Sequence, residues 1–221
     1  MANANSQQLS EARAGDAALN SFALKFSHLN VQTALIRSAL FIGRGFGFDE
    51  KHALQVTMLA QIIFDSTTAL HGLAAGDRQI LVIAAMLHDI GTCAGMRGHH
   101  KNSCSLIMKS AIPGISHEDM LLAALVARYH RKSEPKLKHE FYSHLSDGDQ
   151  NRVAALAAIL RIADVLDRDH QQKVGEFNLS SDPESVTLLL PVAIKSGIDR
   201  PAFDKKSRLF EKVFGRIVKI C

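Results

Sequence analysis

Two stretches of this chain are apolar on every side when they are read with helical periodicity, residues 80–87 and 153–160. A helix of that kind is stable in water only when other elements surround it. His88 and Asp89 directly follow the first stretch, and Asp164 follows the second. The chain is therefore expected to fold as helices packed around two buried helices, with ionisable side chains at their ends.

Composition supports a mainly helical fold. Of the 221 residues, 47% are apolar but only 6% aromatic, and Trp is absent. A core built from Ala, Leu, Ile and Val suits helices packed on helices. No apolar stretch is long enough to cross a bilayer, and residues 1–13 lack the pattern of a signal peptide. The expected location is cytoplasmic, with no membrane partner.

Charge and cysteine content exclude several kinds of site. Cys93, Cys104 and Cys221 form no CxxC pair, which argues against a disulfide framework or a cysteine zinc site. The net charge of +4 is too small to indicate a polyanion partner by itself. Nucleic acid is an unlikely partner, because the basic residues are not interleaved with aromatic residues that stack on bases. The oligomeric state stays open, with a homodimer as one option.

The patterns divide the chain into three parts. Residues 1–27 are polar and alanine-rich without a firm period, which is typical of a leader or a frayed helix. Residues 28–170 carry the helical core, in which Asp49 and Asp77 are expected to cap helices and Gly91 to end one. The expected helices cover residues 31–41, 50–64, 78–90, from 99 onwards, 118–131, and from 149 or 150 onwards.

The last part, residues 171–221, changes in pattern. Residues 174–179 and 186–192 alternate like two short strands joined at Asp182 and Pro183, and residues 203–217 form an amphipathic helix. A small β-hairpin and a helix are therefore expected to pack on the helical core.

Four ionisable residues are expected to face the interior. His52 shares one helix face with apolar residues at i+4, i+7 and i+11. A buried, unpaired carboxylate is costly, and a cation near Asp89 and Asp164 would remove that cost. Two imidazoles and two carboxylates suit a divalent ion and leave coordination positions open for water and substrate. Asp164 has an alternative, since Arg161 and Arg168 lie at i−3 and i+4 on its own helix.

The order His, His-Asp, Asp resembles the HD superfamily of metal-dependent phosphohydrolases. A closer resemblance is to the carboxy-terminal HD domain of the exopolyphosphatase/guanosine pentaphosphate phosphohydrolase family, and it extends from about residue 46 to the end of the chain. It rests on Asp49-Glu50-Lys51-His52-Ala53, Leu87-His88-Asp89-Ile90-Gly91, Arg97-Gly98-His99-His100-Lys101, Arg128-Tyr129-His130-Arg131, Leu160-Arg161-Ile162-Ala163-Asp164, Asp167-Arg168 and Leu209-Phe210-Glu211-Lys212-Val213-Phe214-Gly215.

The resemblance implies a mainly α fold of the HD, phosphodiesterase-like kind, with the small β-containing tail. It also departs from the family in places. Thr92 and Asn102 stand where a Lys and a second His are frequent, and the amino-terminal actin-like domains are absent from this sequence. Polyphosphate cleavage by the family's main mechanism is therefore not inferred.

Two functions follow as hypotheses. In the preferred one, the chain is a hydrolase of a phosphate ester or anhydride, such as a nucleotide or polyphosphate. His52, His88, Asp89 and Asp164 hold the ion, which is manganese, magnesium, nickel, iron or zinc, and His88, Asp89 and Asp164 are the catalytic set.

Each of the other predicted site residues has two possible roles. His100 and His130 either hold a second ion or make hydrogen bonds behind the first. Lys101 and Arg131 either bind substrate phosphate or are solvated charges.

The second hypothesis is a module that binds polyphosphate or a nucleotide without catalysis. Its basis is the absence of the actin-like domains together with the basic stretch of residues 128–140, for which the alternative is a solvated helix end and loop. The basic residues are Arg128, Arg131, Lys132, Lys136 and Lys138.

Overall fold

Helices make up most of residues 33–221, the part of the chain that this computed structural model describes. The predicted mainly α fold is confirmed, whereas the leader predicted for residues 1–27 lies outside the described residues. The helices are α1 (Thr33–Gly45), α2 (Glu50–Ser66), α3 (Thr68–His71), α4 (Ala75–Leu87), a 3₁₀ helix (Ile90–Ala94), α5 (His99–Met108), α6 (His117–Arg128), α7 (Glu140–Ser143), α8 (Asp147–Leu166), α9 (Val192–Lys195) and α10 (Arg200–Phe214).

The two apolar stretches are buried, as predicted. Residues 80–87 of α4 and nearly all of residues 153–160 of α8 have almost no exposed surface. Helix α8 contacts α2, α4, α6 and α10, and α4 contacts α2 and α6. Residues at the ends of α4 and α8 are therefore directed into the middle of the bundle.

No single helix among residues 33–221 has both the length and the apolar character needed to span a membrane. The bent pair Ala75–Ala94 and His99–Met108, which turns through 115°, meets those limits together on length and composition only.

Helix starts follow local hydrogen bonding. The prediction for Asp49 is confirmed, since its carboxylate accepts a hydrogen bond from the His52 amide at 3.1 Å. The predictions for two other helices are wrong by a few residues. Asp77 lies in the third position of α4 and accepts from the Ala74 amide at 2.9 Å, and α8 begins after Ser146. A carboxylate at the third position also accepts a hydrogen bond from a free amide at the helix start, that of the cap residue, so the two patterns look alike in sequence.

Glycines lie near the ends of two predicted helices, and both helices end at a different residue from the one predicted. Helix α1 continues to Gly45, and the turn comes at Gly47, whose φ is 64°. Gly91 does not end α4, which stops at Leu87, but lies inside the 3₁₀ helix. A Cβ on Gly91 would lie 2.3 Å from His99 O and from Ser103 N. Gly91 thus allows the 3₁₀ helix to lie directly against α5.

The carboxy-terminal hairpin is confirmed and extended by a third strand. Strands β1 (Asn178–Ser181) and β2 (Ser185–Leu189) pair antiparallel. The predicted final helix to residue 217 is too long, because α10 ends at Phe214 and is followed by Gly215 in a left-handed conformation. The chain then forms β3 (Ile217–Ile220), which pairs parallel to β2. Similarly, α6 ends at Arg128 rather than at residue 131.

Candidate metal centre

The structure brings the four predicted ligands together from three parts of the bundle. His52 lies in α2, His88 and Asp89 follow α4, and Asp164 lies near the end of α8. Asp164 Oδ1 lies 3.7 Å from His52 Nε2 and 3.8 Å from His88 Nε2. One ligand atom from each of His52, His88 and Asp89 lies within 4.8 Å of the other two. We call these four residues the primary cluster.

Atoms of the primary cluster fit a cation. His52 Nε2 and His88 Nε2 are buried and have no hydrogen-bond partner among the described residues. A buried polar atom without a partner costs about 1–3 kcal/mol. Imidazole nitrogens and carboxylate oxygens at these separations are ligands that a divalent metal ion accepts.

Hydrogen bonds on the outer edges orient the two imidazoles of the primary cluster. His52 Nδ1 lies 2.8 Å from Asp167 Oδ2, and His88 Nδ1 donates to Ala85 O at 2.7 Å. An imidazole whose Nδ1–H is held in this way presents Nε2 as its metal-binding atom. Both Nε2 atoms therefore face the interior of the primary cluster.

A second group of ligands shares Asp89. Asp89 Oδ1 lies 3.0 Å from His99 Nε2 and 3.4 Å from His130 Nε2, and one ligand atom from each of the three residues lies within 4.8 Å of the other two. The two imidazoles donate from Nδ1 to Met96 O and Ala127 O, and their Nε2 atoms lie 3.3 Å apart. Two nitrogen lone pairs facing each other at this distance need a shared proton or a cation. We call Asp89, His99 and His130 the secondary cluster.

The sequence prediction named His100 in place of His99. His100 lies outside both clusters, with its ring centre 6.5 Å from that of His130 and its buried Nδ1 without a partner among the described residues. Successive helix residues point about 100° apart, so only one member of a His-His pair faces a given point. The sequence feature that pointed to His99 was the His99-His100 pair at the start of α5.

The ionisable groups of the primary cluster shift one another's pKa values toward the charged forms. Burial lowers the pKa of His52, but the carboxylates of Asp164 and Asp167 outweigh burial and raise it to about 9. Burial raises the pKa of Asp164, yet the Lys206 ammonium and the His52 and His88 imidazoles hold it well below its usual value. Asp89 is likewise held low against burial, by His88 and by the imidazoles of the secondary cluster. In the metal-free protein, these pKa shifts favour ionised Asp89 and Asp164 carboxylates and a His52 imidazole that carries a second proton.

Asp164 has a cationic partner that the sequence analysis missed. Lys206, on α10, donates to Asp164 Oδ2 at 2.5 Å and to His130 O at 2.7 Å. The alternative of pairing with Arg161 or Arg168 is wrong, since Arg161 donates to Tyr129 O and Ser133 O and Arg168 pairs with Asp199. Lys206 holds one oxygen of Asp164 and leaves Oδ1 directed at the two imidazoles.

A cavity of about 740 Å³ opens beside both clusters. Asp89, Asp164, His99 and His130 form part of its wall. Of the two predicted phosphate ligands, Arg131 lines this cavity, whereas Lys101 is exposed on α5 and does not. The basic residues of the wall are Arg131, Lys132, Arg161, Arg168, Lys205, Lys206 and Arg208.

Comparison with known proteins identifies the family of this chain. The model of the family Ppx/GppA phosphatase, domain III, matches residues 36–194. A guanosine-5'-triphosphate,3'-diphosphate pyrophosphatase of Aeromonas hydrophila is 32% identical over 149 residues, which are 66% of this chain and 29% of that protein. The protein of the same name from Aeromonas salmonicida is 31% identical with the same coverage, so the chain spans less than a third of these relatives. The chain belongs to the Ppx/GppA phosphatase domain III family.

Proposed function

We propose that the protein is a metal-dependent hydrolase of a phosphate ester or anhydride, of the HD type. The observation that carries this proposal is the convergence of His52, His88, Asp89 and Asp164 around unpaired Nε2 atoms, with Asp89 and Asp164 in the wall of a basic cavity. Membership of a phosphatase family supports it, as does the similarity to proteins named as nucleotide pyrophosphatases.

Each residue of the primary cluster has a defined role in this proposal. His52 and His88 supply neutral nitrogen ligands whose orientation is set by Asp167 and the Ala85 carbonyl. Asp164 and Asp89 supply oxygens and negative charge. A divalent ion bound here supplies a water of lowered pKa and neutralises charge on the phosphoryl oxygens.

The secondary cluster extends the proposal to a second ion. Asp89 lies between the two clusters, with Oδ2 3.6 Å from His88 Nε2 and Oδ1 3.0 Å from His99 Nε2. Asp89, His99 and His130 would hold this second ion, which would supply further positive charge near the substrate phosphate. Four imidazoles across the two clusters favour manganese, iron, nickel or zinc over magnesium, which prefers oxygen ligands.

Substrate phosphate is bound by the basic wall of the cavity. Among residues 33–221, Arg131, Lys132, Lys205 and Arg208 have no carboxylate within ion-pair distance. Cations that face a cavity without a counter-ion favour an anionic ligand, and guanidinium groups bind phosphate oxygens in pairs. Lys205, Lys206 and Arg208 come from α10, so the carboxy-terminal helix would form part of the substrate site in this proposal.

The same basic wall also favours the second hypothesis, a module that binds polyphosphate or a nucleotide without hydrolysing it. Of the basic stretch considered from sequence, Arg131 and Lys132 line the cavity, whereas Lys136 and Lys138 do not. The relatives are more than three times longer than the matched region, so this domain can serve as a binding element beside catalytic domains.

One experiment separates the two functions. Protein freed of metal with EDTA is reloaded with Mn²⁺, Ni²⁺ or Mg²⁺, and phosphate release is measured on nucleoside triphosphates, guanosine tetra- and pentaphosphates and tripolyphosphate. We expect turnover that Asp89→Asn lowers at least about 100-fold. The exposed Asp147→Asn in α8 is the matched control.

The contrary results are equally clear. If no substrate is turned over and Asp89→Asn leaves metal content unchanged, the hydrolase proposal fails. Binding of tripolyphosphate in EDTA that is weakened by salt, together with no hydrolysis after each metal is restored, would establish the binding module instead.

A further inference from the structure

The loop that follows α8 contacts His52 on two sides. This loop comprises residues 167–172, and we call it the 167–172 loop. Asp167 Oδ2 lies 2.8 Å from Nδ1 at the edge of the His52 ring, and both side chains are buried. The His170 ring stacks on the face of the His52 ring, with centres 3.7 Å apart and planes within 7°. One loop thus restrains both the rotation and the tilt of this imidazole.

The backbone of the 167–172 loop adopts an unfavourable conformation to reach this position. His170 has a φ of 55° and Gln172 a φ of 51°, and within residues 33–221 these are the non-glycine residues with positive φ. The left-handed region is costly for residues with a Cβ, and it persists only where surrounding contacts impose it. Such strain is concentrated at functional sites.

The contacts that impose this conformation converge on Asp167. The Gln172 amide donates to Asp167 Oδ1 at 2.7 Å, and the Gln172 side-chain amide donates to Oδ2 at 3.3 Å. The His170 amide donates to Asp167 O at 2.9 Å. The carboxylate that holds His52 therefore also shapes the loop that carries His170.

The far edge of His170 is tied to the start of the helix that carries His52. His170 Nδ1 lies 2.8 Å from Asp49 Oδ2, while Asp49 Oδ1 accepts the His52 amide. Asp49 is the cap of α2. The Asp49 carboxylate thus contacts both the His170 ring and the His52 backbone amide, and these contacts fix the position of the two stacked rings relative to each other.

We propose that His170 and Asp167 are positioning residues, which hold the His52 imidazole so that Nε2 points at His88 and Asp164. This inference rests on the proposed metal centre. Asp167 sets the ring's rotation through Nδ1, and His170 prevents the ring from tilting out of the primary cluster into the cavity. The strained backbone is explained by this task, because glycine would adopt the same φ at no steric cost but would leave the face of His52 uncovered.

Two substitutions at one position separate positioning from simple loop stability. His170→Ala removes the stacked ring and keeps the strain, whereas His170→Gly removes the ring and relieves the strain. We expect the metal-free Gly variant to melt at a higher temperature than the Ala variant. Both should bind Co²⁺ about 3–10-fold more weakly than the unaltered protein, at the low end of effects for residues behind a metal ligand.

The measurements are the Co²⁺ dissociation constant by calorimetry, the Co²⁺ d–d absorption spectrum, and the melting temperature in EDTA. Both variants should change the spectrum in the same way, because both remove the same restraint on the His52 ring. Lys173→Ala is the matched control. The exposed ammonium of Lys173 pairs with Asp169 at 2.6 Å rather than with Asp167, so the Co²⁺ affinity of this variant should stay within about twofold. Asp167→Asn should weaken binding about 10–100-fold.

Three results would count against the proposal. If both variants at residue 170 bind Co²⁺ within twofold of the unaltered protein and keep its spectrum, His170 is not a positioning residue. If affinity follows the metal-free melting temperature, so that Gly restores what Ala loses, the role of His170 is structural only. If the unaltered protein binds no Co²⁺, the metal centre itself fails and the positioning role falls with it.

Discussion

His52 and His130 are both buried imidazoles, yet their surroundings give them opposite charge preferences in the metal-free protein. Burial disfavours charge on each. At His52 the carboxylates of Asp164 and Asp167 overcome burial and raise the pKa to about 9. At His130 burial, together with the neighbouring His88, keeps the pKa well below its usual value. A metal entering the primary cluster at neutral pH therefore has to displace a proton from His52.

This difference predicts a pH dependence of metal binding. Because the pKa of His52 in the folded protein is raised to about 9, its proton competes with the metal below that pH and stops competing above it. We expect the apparent affinity of the primary cluster to rise by up to about tenfold per pH unit between pH 6.5 and 8.5.

Calorimetric titration with Mn²⁺ in two buffers of different ionisation enthalpy measures both the affinity and the protons released. Affinity that does not change over this range, with no proton release, would contradict the electrostatic account of His52.

At the scale of the elements, the contact between the 3₁₀ helix and α5 decides where His99 lies. The Gly91 amide donates to Ser103 Oγ at 2.9 Å, and the space that a side chain on Gly91 would need is filled by backbone atoms of α5. This close approach brings the first residue of α5 to the carboxylate of Asp89. The secondary cluster thus depends on one glycine that is not itself a ligand.

Gly91→Ala should therefore be disruptive. Its Cβ would lie 2.3 Å from two backbone atoms, and separating the two elements should reduce the free energy of unfolding by about 3 kcal/mol. Gly76→Ala in α4 is the control, because its Cβ would meet nothing within 4 Å, and alanine there should stabilise by up to about 1 kcal/mol. Urea unfolding of the metal-free proteins measures both. Equal effects of the two substitutions would show that the contact at Gly91 is looser than described.

At the scale of the whole molecule, the two clusters draw their ligands from most of the bundle. α2, α5 and α8 each supply a ligand, His88 and Asp89 follow α4, and His130 follows α6. Helix α10 adds Lys206, which bonds to both Asp164 and the backbone of His130. Because the ligands converge only in the folded chain, a metal that binds them stabilises the entire fold.

We therefore expect divalent metal to raise the melting temperature. At a concentration 100 times the dissociation constant, a ligand specific for the folded state stabilises it by about 2.7 kcal/mol. For a domain of this size that corresponds to an increase of about 5–10 °C. EDTA should reverse the increase, and Asp89→Asn should abolish it because Asp89 belongs to both clusters. An equal increase in Asp89→Asn would place the stabilising metal elsewhere.

Much of the fold and of the primary cluster follows from the order of residues alone. The apolar runs of α4 and α8 require burial, and the polar residues that follow them, His88, Asp89 and Asp164, then have to find partners inside the bundle. The inward face of α2 likewise identified His52. These are local properties, because helical periodicity determines which side chains a helix buries.

Only the tertiary structure decided the rest. The choice of His99 over His100, the pairing of Lys206 with Asp164, and the addition of β3 to the hairpin depend on how segments distant in sequence meet. A helix turns about 100° per residue, so a small rotation exchanges one histidine for its neighbour, and a lysine 42 positions away carries no local sign of its partner. Periodicity identifies the buried face of a helix, whereas packing between helices determines which atoms on that face come into contact.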